Sequence, residues 1–164
     1  MKEIERKFLV KKVPESIKII STHIIRQTYL ALTEDEEIRV RHTEDILRSS
    51  SQYTWAYKKN TPSKLVRTEE ETSISEELYY DLVGNRFVLI KLRSIIDIGT
   101  GGFCCLDNYI FTGDKRNNTP LMLEVEFQTE SEASAFQVPD WVEKEVTNDC
   151  FFKASTIWKQ IFPF

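Results

Sequence analysis

Polar and apolar residues alternate with period two along most of this chain, as they do in strands with one face turned to a core. Segment 3–10 sets Glu3, Glu5 and Lys7 against Ile4, Arg6 and Phe8. Segment 24–32 sets Gln27 and Tyr29 against Thr28 and Leu30, and segment 37–42 sets Glu37, Arg39 and Arg41 against Ile38 and Val40. In segment 53–58, Tyr53, Trp55 and Tyr57 alternate with Thr54, Ala56 and Lys58. The same reading places strands at 65–74, 88–97, 103–111 and 121–128. About eight strands result, enough to close a small barrel, and the expected class is mainly antiparallel β.

Helices are expected to be few and short. Pro14, suited to a first helical turn, opens one over 14–21. Ser75 is a good cap for a second over 75–83, where Leu78, Leu82 and Val83 keep helical spacing and Gly84 ends it. Thr129 and Glu132 have capping-box spacing for a third over 129–136, stopped before Pro139, and a last one covers 152–160. Polar or glycine-bearing loops are expected at 43–52, 59–64, 99–102 and 113–119. With no repeat or linker in view, one domain is expected over 1–164.

Composition narrows the function classes. With 41% hydrophobic and 29% charged residues, the chain reads as a soluble globular protein. A net charge of −4 argues against an extended nucleic-acid surface but allows a local basic pocket. Cys104, Cys105 and Cys150 are odd in number, with two adjacent. That is neither a disulfide framework nor a metal-binding spacing, and it predicts reduced thiols in a cytoplasmic protein. The charged start, from Lys2 to Lys7, predicts no signal peptide. No apolar run approaches the ~18 residues of a membrane helix, so no membrane partner is expected. His23 and His42 lie far apart, and nothing beside either recommends a nucleophilic triad.

The polar strand faces are unusual. Collected in order they read Glu3/Glu5/Lys7, Arg39/Arg41, Lys58, Arg67/Glu69/Glu71, Lys91/Arg93, Asp107 and Glu124/Glu126. Like charges at i and i+2 repel on a sheet, and one such face alone is ordinarily solvated surface. Repetition over most of the strands points instead to an inverted barrel, with apolar faces outward under helices and ionised faces lining a lumen. Such an interior is costly unless hydrated or supplied with counter-ions. A polyanion held with divalent cations satisfies both signs together.

The first strand, Glu3-Ile4-Glu5-Arg6-Lys7-Phe8, resembles the ExExK signature of the CYTH, or triphosphate tunnel metalloenzyme, superfamily. The resemblance continues through Gln27-Thr28-Tyr29-Leu30, Arg39-Val40-Arg41, Lys58, Arg67 to Glu71, Lys91-Leu92-Arg93, Asp107 and Glu124-Val125-Glu126, and on to Glu145-Val146-Thr147-Asn148-Asp149 and Phe152. It implies an eight-stranded tunnel that binds a small-molecule triphosphate with Mg²⁺ or Mn²⁺. By that resemblance Glu3, Glu5, Glu124 and Glu126, joined by Glu71, are the metal carboxylates. Glu69 and Asp107 match positions that hold a second metal or orient water. Lys7, Arg39, Arg41, Lys58, Arg67, Lys91 and Arg93 match the phosphate grips, and Glu5, Lys7 and Arg41 are the expected catalytic residues. Cys105 stands where relatives often carry an acid, and Ile95 where some carry a base, which bears on substrate preference.

The resemblance implies metal-assisted in-line hydrolysis, with inorganic tripolyphosphate the first choice because the N-terminal motif is similar to the compact bacterial triphosphatases. Thiamine or nucleoside triphosphatase and adenylate cyclase are the alternatives inside the superfamily. A non-catalytic polyphosphate- or nucleotide-binding barrel is the alternative of another class. A lipocalin-like carrier would require the charged rows to face outward. Lys153 is close enough in sequence to the closing motif to reach a tunnel mouth.

Overall fold

The computed structural model describes residues 1–63, 65–99, 103–110 and 121–162. Among the described residues nine strands form one sheet: β1 Lys2–Val10, β2 Lys18–Leu32, β3 Glu36–Asp45, β4 Ser50–Asn60, β5 Val66–Ser73, β6 Leu89–Asp97, β7 Phe103–Ile110, β8 Leu121–Glu126 and β9 Val142–Glu145. Their order is β5-β4-β3-β2-β6-β7-β8-β1-β9, and β5 also pairs with β1 to close an eight-stranded barrel. Every pairing is antiparallel. One edge of β1 runs along β8, while the other is shared: Lys2 to Ile4 pair with β5 and Phe8 to Val10 with β9. Between those two partners, the Lys7 amide donates to Thr147 Oγ1 at 3.0 Å.

Helix α1 (Glu76–Val83) is capped by the Ser75 hydroxyl and ends at Gly84, whose φ of 48° suits the residue without a Cβ. Its buried Tyr79 packs on the outer wall against His42 and Tyr53. Helix α2 (Glu130–Ala135) opens with Glu132 N–H donating to Thr129, while the Glu132 carboxylate accepts from the Gln128 amide. Phe8, Val10, Ile96, Cys104, Leu106, Leu123 and Val125 form the main outer core, with Phe127 and Phe136 packed on it.

Helix α3 (Ala154–Ile161), preceded by a 3-10 turn at Cys150–Phe152, is placed differently. Its Trp158 packs with Tyr29, Leu89, Tyr109 and Met122, with Leu9 beside them. By two-residue alternation these continue the inward rows of Lys7, Lys91, Asp107 and Glu124. The lumen therefore ends in an apolar cluster covered by α3, while α1 and α2 lie outside the wall.

Two sequence expectations are overturned. Segment 14–21 is not a helix: β2 starts at Lys18 and pairs Lys18 with Asp97 and Ile19 with Ile96. Residues 43–52 are not a long loop either, because β3 continues to Asp45 and β4 starts at Ser50. Strand β9 was not expected. Loop 113–119 and the end of the strand expected over 103–111 lie outside the described residues.

Candidate active site

Strand register turns the charged rows toward one another. Across the ladder Glu5 faces Glu126, Lys7 faces Glu124, and Glu3 faces Arg67. Lys58 faces both Glu37 and Glu69, and Arg93 faces Asp107. A cavity of about 610 Å³ results. Its wall holds the carboxylates Glu3, Glu5, Glu69, Glu71, Glu124 and Glu126 and the cations Lys7, Arg39, Arg41, Lys58, Arg67, Lys91 and Arg93. Lys7, Arg39 and Glu126 thus share one cavity, which excludes the lipocalin-like arrangement. Of the residues matched in the sequence to metal, water or phosphate, Asp107 alone is absent from the cavity lining: it is 0% exposed, behind Lys91 and Arg93.

The ion pairs fall into two networks. On one side, Lys58 Nζ lies 2.5 Å from Glu3 and 3.1 Å from Glu69, and Arg39 reaches Glu69 at 3.3 Å. Glu37 joins them, 3.2 Å from Arg67 and 3.9 Å from Arg39. On the other side, Arg93 makes a forked pair with Asp107, two bonds of 2.7 Å, and touches Glu124 at 2.5 Å. Lys91 also bonds Asp107, and Lys7 lies 3.0 Å from Glu124 and 3.2 Å from Glu5. Arg41 stands between the networks. It reaches the Gln27 side-chain oxygen at 3.2 Å and makes no ion pair with a carboxylate among the described residues.

Burial and neighbouring charge set the protonation of these groups. Burial works against ionised Glu3, yet Lys58, with Arg39 and Lys7, outweighs it and holds the carboxyl at about 2. Burial, then the charges of Arg39 and Arg93, bring Arg41 down to about 10. Burial and Arg93 bring Lys91 to about 8 despite Asp107. Burial also raises Glu126, and Glu3, Glu5 and Glu124 raise it further: this carboxylate lies among like charges.

Among the described residues, no group of three acids, histidines or cysteines is already arranged as a metal cage. The donors nevertheless fit a hard divalent cation. Glu5 and Glu126 are directly opposed like charges, a repulsive arrangement without a cation between them. Glu3 Oε2 is buried and makes no hydrogen bond. Carboxylate oxygens of this kind suit Mg²⁺ or Mn²⁺.

Some groups in or behind the cavity wall were given no site role from the sequence. Gln27, 0% exposed, accepts from Arg41 and donates to the Tyr29 hydroxyl at 2.9 Å. Glu37 bridges two arginines, and its place on the same face as Arg39 and Arg41 was a usable signal. Cys150 lines the cavity from the segment after β9, beside Thr147 and Asn148 of the closing motif and Lys153, which was expected at the tunnel mouth.

A closed antiparallel barrel with cations and carboxylates facing one lumen defines a charged-tunnel protein. No family model matches the chain. The chain is 35% identical over 161 residues to the inorganic triphosphatase of Nitrosomonas europaea, covering 93% of this chain and 94% of that protein. It belongs to the same family, the CYTH or triphosphate tunnel group. The crystal structure of the inorganic triphosphatase NE1496 superposes with a TM-score of 0.58 at 28% identity, over 94% of this chain and 93% of that chain. The PH1819 protein from Pyrococcus horikoshii OT3 superposes with a TM-score of 0.61 at 19% identity, over 81% of this chain and 82% of that one, and shares the fold.

Proposed function

We propose that this protein is a divalent-metal-dependent triphosphatase whose first substrate is inorganic tripolyphosphate. The observation that carries the reading is convergence: seven cations and seven carboxylates from different strands, Glu37 included, line a single cavity. A polyanion accompanied by a divalent cation is the ligand that neutralises both sets.

Glu3, Glu5, Glu124 and Glu126, with Glu71 from the same cavity wall, would hold Mg²⁺ or Mn²⁺. The ion would supply Lewis-acid polarisation of a phosphoryl oxygen and a favoured position for the attacking water. Arg39, Arg41 and Arg93 present forked donors to phosphate oxygens, while Lys7, Lys58 and Lys91 act as point charges. Water attacks in line at phosphorus, the phosphoanhydride bond breaks, and its electrons remain on the departing phosphate oxygen. The fixed cations neutralise charge on the transferred and departing groups as it grows, and most phosphoryl-transfer catalysis takes this form. No protein nucleophile is required, and burial pushes the Cys105 thiol up to about 12, far from a reactive thiolate.

Among the described residues the cavity wall carries one aromatic side chain, the buried Tyr29, and so offers little surface on which a purine or thiazole could stack. This favours inorganic tripolyphosphate over nucleoside or thiamine triphosphate. Reduced Cys104, Cys105 and Cys150 agree with a cytoplasmic setting. The test is phosphate release from tripolyphosphate, thiamine triphosphate and ATP, with Mg²⁺, with Mn²⁺ and with chelator. Metal-dependent release, fastest from tripolyphosphate, is expected. Release that persists in chelator, or binding without turnover, would favour another mechanism or a non-catalytic barrel.

A further inference from the structure

Two carboxylates compensate the cations of the β6–β8 wall in different ways. Asp107 is fully buried behind the wall and holds Lys91 and Arg93 from the back. Glu124 lies on the cavity surface and reaches two cations at once, Lys7 at 3.0 Å and Arg93 at 2.5 Å. Those two cations are phosphate grips in the triphosphatase reading, and Glu124 is one of its metal carboxylates. The same two oxygens therefore serve two incompatible purposes. Paired to Lys7 and Arg93, they occupy the charge that a phosphate would use. Drawn onto a divalent cation, they leave both side chains facing the substrate.

We infer that Glu124 is an internal competitor of the substrate: it masks Lys7 and Arg93 until a divalent cation recruits its carboxylate, so that metal and triphosphate load cooperatively. The inference rests on the triphosphatase reading and adds coupling between its two halves. Such coupling is reciprocal, and each ligand tightens the other by the same factor. Glu126 supplies the internal comparison. It carries the same formal charge on the same strand and lines the same cavity, yet it forms no ion pair among the described residues. Removing charge at Glu126 alters only the general field, while removing it at Glu124 also takes one carboxylate partner from each of two cations, leaving Lys7 with Glu5 and Arg93 with Asp107.

The experiment is calorimetric binding of tripolyphosphate in chelator to the wild type, Glu124→Gln and Glu126→Gln. Glu124→Gln should bind metal-free tripolyphosphate roughly tenfold more tightly than wild type, within the usual range of coupling factors. Glu126→Gln should gain no more than about threefold, as expected for a charge without a close partner. Tightening by the same factor in both variants would reduce the effect to net charge and overturn the inference, as would no gain in Glu124→Gln. A second measurement guards against distortion of the variant wall: affinity for a non-hydrolysed imido analogue of tripolyphosphate, with and without Mg²⁺. Mg²⁺ should enhance wild-type affinity more than that of Glu124→Gln, and equal enhancement would contradict the coupling. A wild type that neither binds nor hydrolyses tripolyphosphate with Mg²⁺ would remove the triphosphatase reading and this inference with it. A wild type that hydrolyses it, beside a Glu124→Gln without gain, would remove this inference alone.

Discussion

Glu5 and Arg6 are neighbours in the chain and point to opposite sides of β1. The inner row, Glu3, Glu5 and Lys7, lines the cavity: Glu3 pairs with Lys58 and Lys7 with Glu124 on other strands, while Glu5 pairs with Lys7 along the row. The outer row, Ile4, Arg6 and Phe8, meets α2 and β9. Arg6 bonds both carboxylate oxygens of Glu145, at 2.9 and 2.6 Å, and the Ala133 carbonyl at 2.8 Å. Its guanidinium also stacks over Phe8 and Phe136. The charge type that faces the cavity on one side of the strand therefore fastens a helix and a short strand on the other. A charged residue in a strand motif is assigned by the face it occupies rather than by its chemistry alone.

The comparison breaks if outer substitutions damage chemistry before stability. The largest stability effect is expected at Phe8, which is 0% exposed in the main core. Phe8→Ala should cost about 3–5 kcal/mol in denaturant unfolding, the usual range for a buried aromatic. Arg6→Ala should cost about 2 kcal/mol, from loss of a forked charged pair and a carbonyl bond. In Arg6→Ala, kcat on tripolyphosphate should stay near wild type below the melting transition. A fall in kcat with unchanged stability would place Arg6 in the chemistry.

The inner row is sharpened by pH. Lys91 lies lower in the folded protein, at about 8, than its ordinary 10.5, because burial and Arg93 disfavour its charge. Its charged form therefore weighs against folding below about pH 8, and that cost is relieved as pH rises toward 10.5. Phosphate binding has the opposite sign, since the cation disappears over the same window. The value of kcat/KM should fall above about pH 8, and Lys91→Arg, which keeps its charge, should flatten that limb. An identical limb in the variant would assign the fall to another group.

How much the sequence revealed follows the same division. The inner rows were legible because burial on one side forces a period of two, and ionised residues recurred on most strands. Strand β9 was not, because Val142-Glu143-Lys144-Glu145 has one apolar residue and exists as a strand through pairing with Phe8 to Val10. The start of β2 was misread for a related reason. Pro14 suits a first helical turn, but pairing with β6, distant in sequence, overrides that preference. The polar ends of β3 and β4 form a hairpin with exposed tip residues, where no buried face imposes alternation. In the site, Gln27 and Glu37 act through contacts with Arg41, Arg39 and Arg67 that depend on barrel closure and register. The sealing of one end by α3 is equally non-local, since it brings Trp158 onto Tyr29 at 5.5 Å.

The most direct test of the inner row is tripolyphosphate hydrolysis by Glu5→Ala and Arg41→Ala beside wild type, with melting curves on the same preparations. Turnover should be lost in Glu5→Ala and fall about a hundredfold in Arg41→Ala, with both melting transitions close to wild type. Wild-type turnover in both variants would contradict the assignment of the lumen to metal-assisted triphosphate hydrolysis.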